Sequence, residues 1–435
     1  MTALGGGLGI VLLTALLAGA GVTGVEASPV TRRVLANGMT VLVRESPVTV
    51  VAVSLQLRAG SRFETLETAG VTNFLHRVMA RATVRRTAGQ LAEAAEDIGG
   101  RVDASGEVEY AEVRGEALGR HWVPLLELVA ETALQPSLPV EEIERERRLI
   151  LSQIQTREDA PFQTALDTFL RELYGRHPYA VPSVGVPASL ERMTRPVLLA
   201  HYREIYRPDR LVLAISGPVV PDPVLRVVER LFGRMPAQAA GAQVPVPEPT
   251  AGEARRVVER PARQAQVLVG FLGPRLSDRD YPALKVLGAV LGGGMAGRLF
   301  TELRERRGLA YSLGALSPYR TDRGFLLTYL GTAPANEEAA ETGILRELEK
   351  VRAEGVTPPE VARAKAYLLG ALDLDRRTNA RQAWYLAFFE VVGAGWDYPE
   401  RYARALQAVT AEEVTDVARR YLVRPTTVVL RPTAR

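Results

Sequence analysis

The stretch "MTRPVLLAHYREIYRPDRLVLAISG", Met193–Gly217, carries the pattern from which the fold can be predicted. A threonine stands where a helix begins, an amphipathic segment follows, an Arg-Pro pair ends it, and a run of aliphatic residues then predicts a strand. The stretch "VTAEEVTDVARRYLVRPTTVVLRP", Val409–Pro432, has the same order. Such a repeat indicates an internal duplication. We therefore predict an α+β protein built from two copies of one domain.

The chain length also suits two domains. At 435 residues, the chain is too long for one ordinary core and fits two domains of roughly 200 residues each. The segment "PAQAAGAQVPVPEPTAGEA", residues 236–254, is rich in Pro, Ala and Gly and lacks an apolar period, which is typical of a linker. We predict an N-terminal domain over residues 30–235 and a C-terminal domain over residues 255–435.

The two halves have a similar predicted order of elements. The first opens with a hairpin around an Asn-Gly turn, a strand in "VVAVSLQLRAG" and a helix in "AGVTNFLHRVMARAT", residues 69–83. Strands recur in "RVDASGEVEYAEVRGEAL", and helices are predicted over residues 121–175. In the second half a strand in "QAQVLVGFLGP" precedes helical residues 281–308, a strand pair, and helices over residues 336–421.

The N-terminal segment has the character of an export signal. Residues 3–25 contain no charge, and Val25 and Ala27 satisfy the small-residue rule for signal peptidase. We expect residues 1–27 to form a signal peptide and the protein to be exported to the periplasm. The alternative is a retained membrane anchor, because residues 3–25 are long enough to span a bilayer.

Composition excludes several classes of site. The chain has no cysteine, so disulfides and thiolate metal sites are excluded. The net charge is +4 and the pI about 9.3, but the arginines are interleaved with acids, as in "EEIERERRLI". This pattern predicts solvated helix faces rather than a nucleic-acid surface. No two of the four histidines lie one helical turn apart: His76, His121, His177 and His201.

The stretch "GGGMAG", Gly292–Gly297, fits the dinucleotide-binding pattern G-x-G-x-x-G. That motif needs a preceding strand and an acidic residue about 20 positions later. Here the preceding "YPALKVLGAVL" has a helical pattern, and Ser317 occupies the later position. We interpret the glycines as a turn between two helices.

The helix in "AGVTNFLHRVMARAT" places Asn73 and Arg77 on one face, with His76 beside them. A zinc ion needs three or four imidazole or anionic donors converging at about 2.0–2.3 Å. A guanidinium repels a dication, and one imidazole does not hold it. The chain contains no H-x-x-x-H or H-x-x-E-H sequence. The residues therefore predict no metal at this helix and a structural role for His76.

Four stretches, in this order and spacing, resemble the pitrilysin/insulinase metallopeptidase family, in particular its processing-peptidase-like branch. They are "NGMTVLV", "AGVTNFLHRVMARAT", "RHPYAVPSVGVPASLERMTRPVLLAHYREIYRPDRLVLAISG" and "MAGRLFTELRERRGLAYSLGA". The resemblance runs from about Val30 to the C-terminus. It implies a LuxS/MPP-like metallopeptidase fold: two homologous domains, each a mainly antiparallel β-sheet packed with α-helices.

The resemblance also implies where a zinc site would lie. Active members carry H-x-x-E-H on the first helix, with a third ligand, a glutamate, about 76 residues further on. The matching positions here are Asn73, His76, Arg77 and Gln153, and all four depart from the pattern. The N-terminal domain is thus expected to carry a degenerate zinc motif.

A second family feature is retained. In the family, an arginine and a tyrosine seven residues later project across the catalytic chamber, bind substrate backbone and stabilise the oxyanion. Arg304 and Tyr311 match these positions, and both side chains are suitable hydrogen-bond donors. The alternative is structural: residues 304–307 as an exposed charged helix end and Tyr311 as an ordinary strand aromatic.

The resemblance therefore implies the zinc-less subunit of a two-chain peptidase. A homologous partner would bring H-x-x-E-H and the zinc, the substrates would be peptides, and this chain alone would hold no cofactor. An edge strand within "RVDASGEVEYAEV" is expected to pair with substrate backbone. The rival hypothesis is a non-enzymatic scaffold or peptide-binding protein of the same fold. An independent hydrolase lacks any recognisable Ser-His-Asp or paired-carboxylate constellation.

Overall fold

The computed structural model describes residues 29–237, 246–249 and 252–433. The predicted signal peptide or anchor, residues 1–27 with the uncharged residues 3–25, lies outside the described residues, as does much of the predicted linker 236–254. Within the described residues, no helix is both long and apolar enough to cross a membrane.

The described part of the first half contains six strands and eight α-helices. The strands are β1 (Val30–Val34), β2 (Thr40–Glu45), β3 (Val50–Leu57), β4 (Arg101–Gly106), β5 (Ala111–Leu118) and β6 (Leu211–Gly217). The helices are α1 (Val71–Met79), α2 (Ala88–Glu96), α3 (Trp122–Leu134), α4 (Val140–Asp159), α5 (Pro161–Tyr174), α6 (Pro187–Leu190), α7 (Arg195–Ile205) and α8 (Pro221–Phe232).

The second half contains five strands, six α-helices and one π-helix among the described residues. The strands are β7 (Ala254–Pro261), β8 (Ala265–Leu272), β9 (Ser312–Leu316), β10 (Phe325–Thr332) and β11 (Thr426–Thr433). The α-helices are α9 (Tyr281–Gly292), α10 (Glu337–Glu354), α11 (Pro358–Asp375), α12 (Asn379–Val391), α13 (Tyr398–Ala408) and α14 (Ala411–Tyr421), and the π-helix is Phe300–Arg306.

Sheet topology confirms the predicted α+β fold with two similar halves. The first sheet has the order β1-β2-β6-β3-β5-β4 and the second β7-β11-β8-β10-β9. Without β1 the two orders are the same, and in each sheet only one pair is parallel, β2 with β6 and β7 with β11. All other neighbouring strands are antiparallel.

Residues 193–217 and 409–432 form the same helix–strand unit. Thr194 precedes α7, which leads into β6, and Thr410 precedes α14, which leads into β11. Thr410 also forms a capping box with Glu413, because each side chain bonds the other residue's backbone N–H. Thr194 makes no such cap.

The helical region predicted over residues 281–308 is interrupted. α9 ends at Gly292, and the glycine-rich residues 292–297 form the turn before the π-helix. A Cβ on Gly292 would lie 2.5 Å from the backbone nitrogen of Ala315 in β9. The glycine therefore permits close packing between helix and strand.

Each sheet is covered on one face by helices of its own half and on the other face by a helix from the opposite half. α5 packs on β8 and β11, where Phe169 lies against Gly270: a Cβ there would sit 2.4 Å from the phenyl ring. α12 packs on β3 and β6 of the first sheet. Leu386 and Ala387 there share a buried cluster with Leu42. The two halves thus exchange one helix each.

A loop of the second half is held by polar residues of the first. Arg62 donates two hydrogen bonds to Asp322, at 2.6 and 2.8 Å, and His177 Nε2 lies 3.3 Å from the same carboxylate. Thr321 donates to Glu109 at 2.5 Å. Burial would raise the pKa of Asp322, but the hydrogen bonds from His177 and Arg62 outweigh it and hold that pKa well below its usual range.

Candidate functional site

The helix that carries the degenerate motif, α1, is fixed at its N-terminus by a carboxylate. Glu64 accepts hydrogen bonds from the backbone N–H groups of Gly70 and Thr72, at 2.7 and 2.9 Å. A carboxylate at this end satisfies unpaired donors and favours the helix dipole. Gly70 has a φ of 86°, and a Cβ there would lie 2.7 Å from Gly185, so only glycine fits.

Asn73 bridges α1 to the edge strand β4. Its Nδ2 donates to the carbonyl of Gly106 at 3.1 Å. A Cβ on Gly106 would lie 2.5 Å from the Asn73 nitrogen, so strand and helix backbones approach closely. Asn73 therefore connects two elements, and its Nδ2 is already engaged.

His76 points into the core. Its side chain is fully buried, with Nδ1 2.8 Å from the carbonyl of Thr72 and Nε2 2.9 Å from the hydroxyl of Tyr206. The carbonyl can only accept, so we assign the proton to Nδ1, and Nε2 accepts from the tyrosine. Burial lowers the pKa of His76 to about 4. Both ring nitrogens are thus occupied in a neutral imidazole.

Arg77 and Gln153, which align with two zinc-ligand positions of the family motif, are hydrogen-bonded to each other. Arg77 donates from Nη1 to the Gln153 amide oxygen at 2.8 Å and from Nε to Glu146 at 2.8 Å. Arg81 donates to the other oxygen of Glu146 at 2.6 Å. The Glu146 side chain is completely buried. A guanidinium bound to a carboxylate and an amide thus occupies one of the aligned ligand positions.

These residues do not fit zinc. A site needs several free anionic or imidazole donors, whereas the four aligned positions offer two amides, a buried histidine with both nitrogens engaged, and an arginine. Over the part of the chain that the structure describes, no group of three or more His, Cys, Asp or Glu is placed to hold a metal ion.

Sequence reasoning missed Glu146. It lies seven residues before Gln153 on α4, and a spacing of seven places two side chains on the same helix face. That spacing, together with the four-residue spacing between Arg77 on α1 and Arg81 in the turn that follows the helix, is the signal that predicts the cluster. We refer to Arg77, Arg81, Glu146 and Gln153 as the arginine cluster.

The remaining histidines lie elsewhere. His201 Nε2 is 3.0 Å from the Thr72 hydroxyl, and burial lowers the pKa of His201 to about 4. His177 belongs to the contact with Asp322 between the halves, and His121 Nε2 accepts from Arg120 at 3.1 Å. None of these three joins the arginine cluster.

Arg304 lies on the π-helix and is solvent-exposed. Its guanidinium carbon is 5.1 Å from the centre of the Phe300 ring, a cation–π contact. Arg306 and Arg307 both pair with Glu302, whereas Arg304 has no carboxylate partner among the described residues. The three arginines are therefore not equivalent, and the Arg304 side chain makes no hydrogen bond within the described part of the chain. π-helical turns are rare and occur frequently at functional sites.

Tyr311 follows the π-helix and immediately precedes β9. Its side chain is 63% exposed, while its backbone N–H donates to Gly331 at 3.0 Å. In the described part of the chain its hydroxyl makes no hydrogen bond, and it does not contact Arg304. The backbone of Tyr311 is therefore fixed by its hydrogen bond to Gly331, while its phenol ring is exposed to solvent.

β4, Arg101–Gly106, is an edge strand of the first sheet and ends beside Asn73. An edge strand presents unpaired backbone groups that an extended peptide can use. The predicted edge strand therefore adjoins the degenerate motif.

Comparison with known proteins places two matches along the chain. Residues 39–185 match the profile described as "Insulinase (Peptidase family M16)", and residues 192–368 match "Peptidase M16 inactive domain". An uncharacterized zinc protease of Mycobacterium tuberculosis is 31% identical over 90% of this chain and 91% of its own length. An uncharacterized zinc protease of Bacillus subtilis is 29% identical over 80% of this chain and 85% of its own.

Solved structures show the same fold. A crystal structure of a protease from Helicobacter pylori has a TM-score of 0.87 and 21% identity, covering 93% of this chain and all of that one. A crystal structure of a peptidase M16 inactive domain from Pseudomonas fluorescens has a TM-score of 0.86 and 24% identity, covering 93% of this chain and 98% of that one.

Proposed function

We propose, from the premise that the chain belongs to the insulinase family, peptidase family M16, that it is the zinc-less subunit of a two-chain metallopeptidase. It would supply half of a chamber for peptide substrates and the donors Arg304 and Tyr311. A homologous partner bearing H-x-x-E-H would supply zinc and its hydrolytic chemistry.

The arginine cluster carries the first half of this proposal. Of the positions that match the motif, Arg77 and Gln153 are hydrogen-bonded to each other, and Arg77 also binds the carboxylate of Glu146. The cluster stabilises the contact between α1 and α4 without an ion. A chain with this arrangement needs another molecule for metal-assisted hydrolysis.

The exposure of Arg304 and Tyr311 supports the second half. Both side chains lie at the surface, and neither donates a side-chain hydrogen bond to a described residue. Their donors are therefore available to a ligand held against this surface. Facing a partner's site, they would bind substrate backbone and stabilise negative charge on the reacting oxygen.

The test combines this chain with its motif-bearing partner from the same source and measures peptide hydrolysis by the complex. Arg304→Ala and Tyr311→Phe are each expected to lower kcat by about 10²–10³, the usual effect of removing one oxyanion donor. Arg306→Ala is the matched control, because Arg306 is exposed on the same π-helix but pairs with Glu302. Size-exclusion chromatography shows whether each variant still assembles.

Two results would contradict the proposal. Stoichiometric zinc and peptide hydrolysis by the isolated chain would show that it needs no partner. Unchanged kcat in both variants of an assembled complex would assign Arg304 and Tyr311 a structural role, and the scaffold hypothesis would then account for the chain better.

Export is part of the proposal. Residues 1–27 would direct the chain out of the cytoplasm and be removed, which leaves the subunit in the periplasm. Mass spectrometry of the N-terminus of protein purified from the native source tests this. An intact residue 1 in a membrane fraction would instead support the anchor.

A further inference from the structure

A cavity of about 520 Å³ lies between the two halves. Its volume is within the range of about 300–1,000 Å³ that is typical of small-ligand sites. Residues of both halves form it, including Leu166 and Val184 from the first and Leu316 and Phe325 from the second. The wall is therefore largely apolar.

Three cations interrupt this apolar wall: Arg157, Lys285 and Arg320. Among the described residues, no aspartate or glutamate lines the cavity. Arg157 is neutralised by Asp167, with hydrogen bonds of 2.7 and 2.5 Å. The other two have no carboxylate partner in the described part of the chain. The cavity thus has an excess of positive charge.

Arg320 is only partly satisfied. Its Nη1 donates to the Tyr319 carbonyl at 3.0 Å, and its guanidinium carbon lies 5.0 Å from the centre of the Tyr179 ring. Its Nε is buried and has no hydrogen-bond partner among the described residues. A buried donor without a partner is destabilising, so a ligand that accepts a hydrogen bond from it would recover that free energy. The nearby Glu109 is already engaged by Thr321 and Tyr179.

Lys285, on α9, is the second cation. Its Nζ donates to the Ser317 carbonyl at 2.5 Å and lies 5.6 Å from the Tyr319 ring. Burial lowers the pKa of Lys285 to about 8. An ammonium group has three donors, and one hydrogen bond leaves two of them for a ligand.

We infer that this cavity binds the C-terminal carboxylate of a peptide, with the apolar wall receiving the last side chain and Arg320 and Lys285 binding the carboxylate. An apolar wall with a pair of unneutralised cations suits a ligand that has one anionic end and an apolar body. The choice of a peptide rests on the proposed peptidase function.

The position of the cavity fits an extended peptide. Tyr311 precedes β9, and Leu316 and Ser317 at its other end line the cavity. β9 is an edge strand of the second sheet. Six residues at about 3.3 Å each separate Tyr311 from Ser317 by roughly 20 Å. A peptide lying along β9 from Tyr311 would place its C-terminus in the cavity about six residues further on.

Calorimetric titration of the full isolated chain tests the inference with three probes. They are N-acetyl-Ala-Ala-Phe with a free carboxylate, the same peptide as its C-terminal amide, and N-acetyl-Asp-Ala-Phe amide, which carries its charge on a side chain. The free acid should bind with a Kd at least tenfold lower than either amide. Neither a partner nor hydrolysis is needed, so this result and the proposed subunit function can fail independently.

Variants locate the site. Arg320→Ala and Lys285→Met should each raise the Kd of the free acid about tenfold and leave the weak binding of the amide unchanged. Ser183→Glu, which adds a carboxylate to the wall without removing a buried contact, should have the same effect if Arg320→Ala does not fold. Arg279→Ala, an exposed cation of the same half, is the matched control.

Three outcomes would overturn the inference. Equal affinity for acid and amide would show that the carboxylate is not recognised. Preference for the aspartyl amide would assign the site to an acidic side chain instead of a C-terminus. Tight binding of the free acid that survives both Lys285→Met and Ser183→Glu would locate it outside this cavity.

Discussion

Removal of the two arginines that neutralise Glu146 should destabilise the chain by more than the sum of the two single changes. Arg77→Met leaves Glu146 paired with Arg81, and Arg81→Met leaves it paired with Arg77, so each single variant keeps one ion pair. The double variant leaves a carboxylate that is 0% exposed with no cation. This tests whether the arginine cluster is a closed structural unit.

The exposed fractions of the two arginine side chains determine how much unfolding free energy each variant should lose. The Arg81 side chain is 40% exposed, so solvent screens its pair and its loss should cost about 1 kcal/mol or less. The Arg77 side chain is 26% exposed and also binds Gln153, so its loss should cost about 1–2 kcal/mol. Loss of both should cost about 3–5 kcal/mol, the usual penalty for an unpaired buried charge.

Differential scanning calorimetry measures these costs, since about 1 kcal/mol changes Tm by roughly 2–4 °C in a unit of 150–250 residues. A triple variant that adds Glu146→Met should recover most of the loss, because it removes the buried charge itself. Arg148→Met, an exposed arginine on α4, is the control. Additive single losses, or a triple variant as unstable as the double, would refute the reasoning.

Three further predictions concern stability. Burial lowers the pKa of His76 and of His201 to about 4, so both stay neutral in the folded chain while the unfolded chain protonates near 6.5. Stability present above pH 6.5 should therefore fall as the pH drops towards 4, by up to about 3 kcal/mol for His76 and less for the half-buried His201; urea unfolding at pH 7 and 4.5 measures this, and a flat profile would contradict it. Asp322→Asn should cost about 1–3 kcal/mol at neutral pH, and, because the pKa of this carboxyl is lowered, the difference from wild type should persist at pH 4 and diminish only in stronger acid. Gly106→Val should lower Tm because its Cβ would stand 2.5 Å from the α1 backbone, whereas Gly89→Ala, with nothing within 4 Å of its Cβ, should not.

The duplication could be predicted from the sequence because the residues that indicate it lie close together along the chain. A threonine at the helix start, an apolar period and an Arg-Pro break are encoded within some 25 consecutive residues, and both copies form the expected helix and strand. The exchange of α5 and α12 was not predicted. Both helices have buried faces, and periodicity shows that a face is buried without showing which sheet covers it.

The contact between Arg77 and Gln153 could be predicted from the sequence, but the other partners in the arginine cluster could not. The family resemblance placed Arg77 and Gln153 together, and the structure has them hydrogen-bonded. The resemblance did not predict the role of Glu146. In the sequence this residue has the pattern of an exposed acid on a helix, and its contacts with the two arginines appear only in the folded structure. Nor did the arginine run 304–307 reveal which member lacks an acidic partner, since that depends on where Glu302 points.

Because α5 and α12 each pack on the sheet of the opposite half, the chain should be suited to fragment complementation. Produced alone, residues 252–433 would lack α5 and leave the apolar side chains of β8 and β11 in water, and residues 29–237 would lack α12 in the same way. Neither piece should be soluble by itself, yet the two expressed together from separate genes should associate into one particle. Splitting the gene at the linker should therefore have little effect on assembly. Deletion of either half should leave the remaining half unfolded and sensitive to proteolysis.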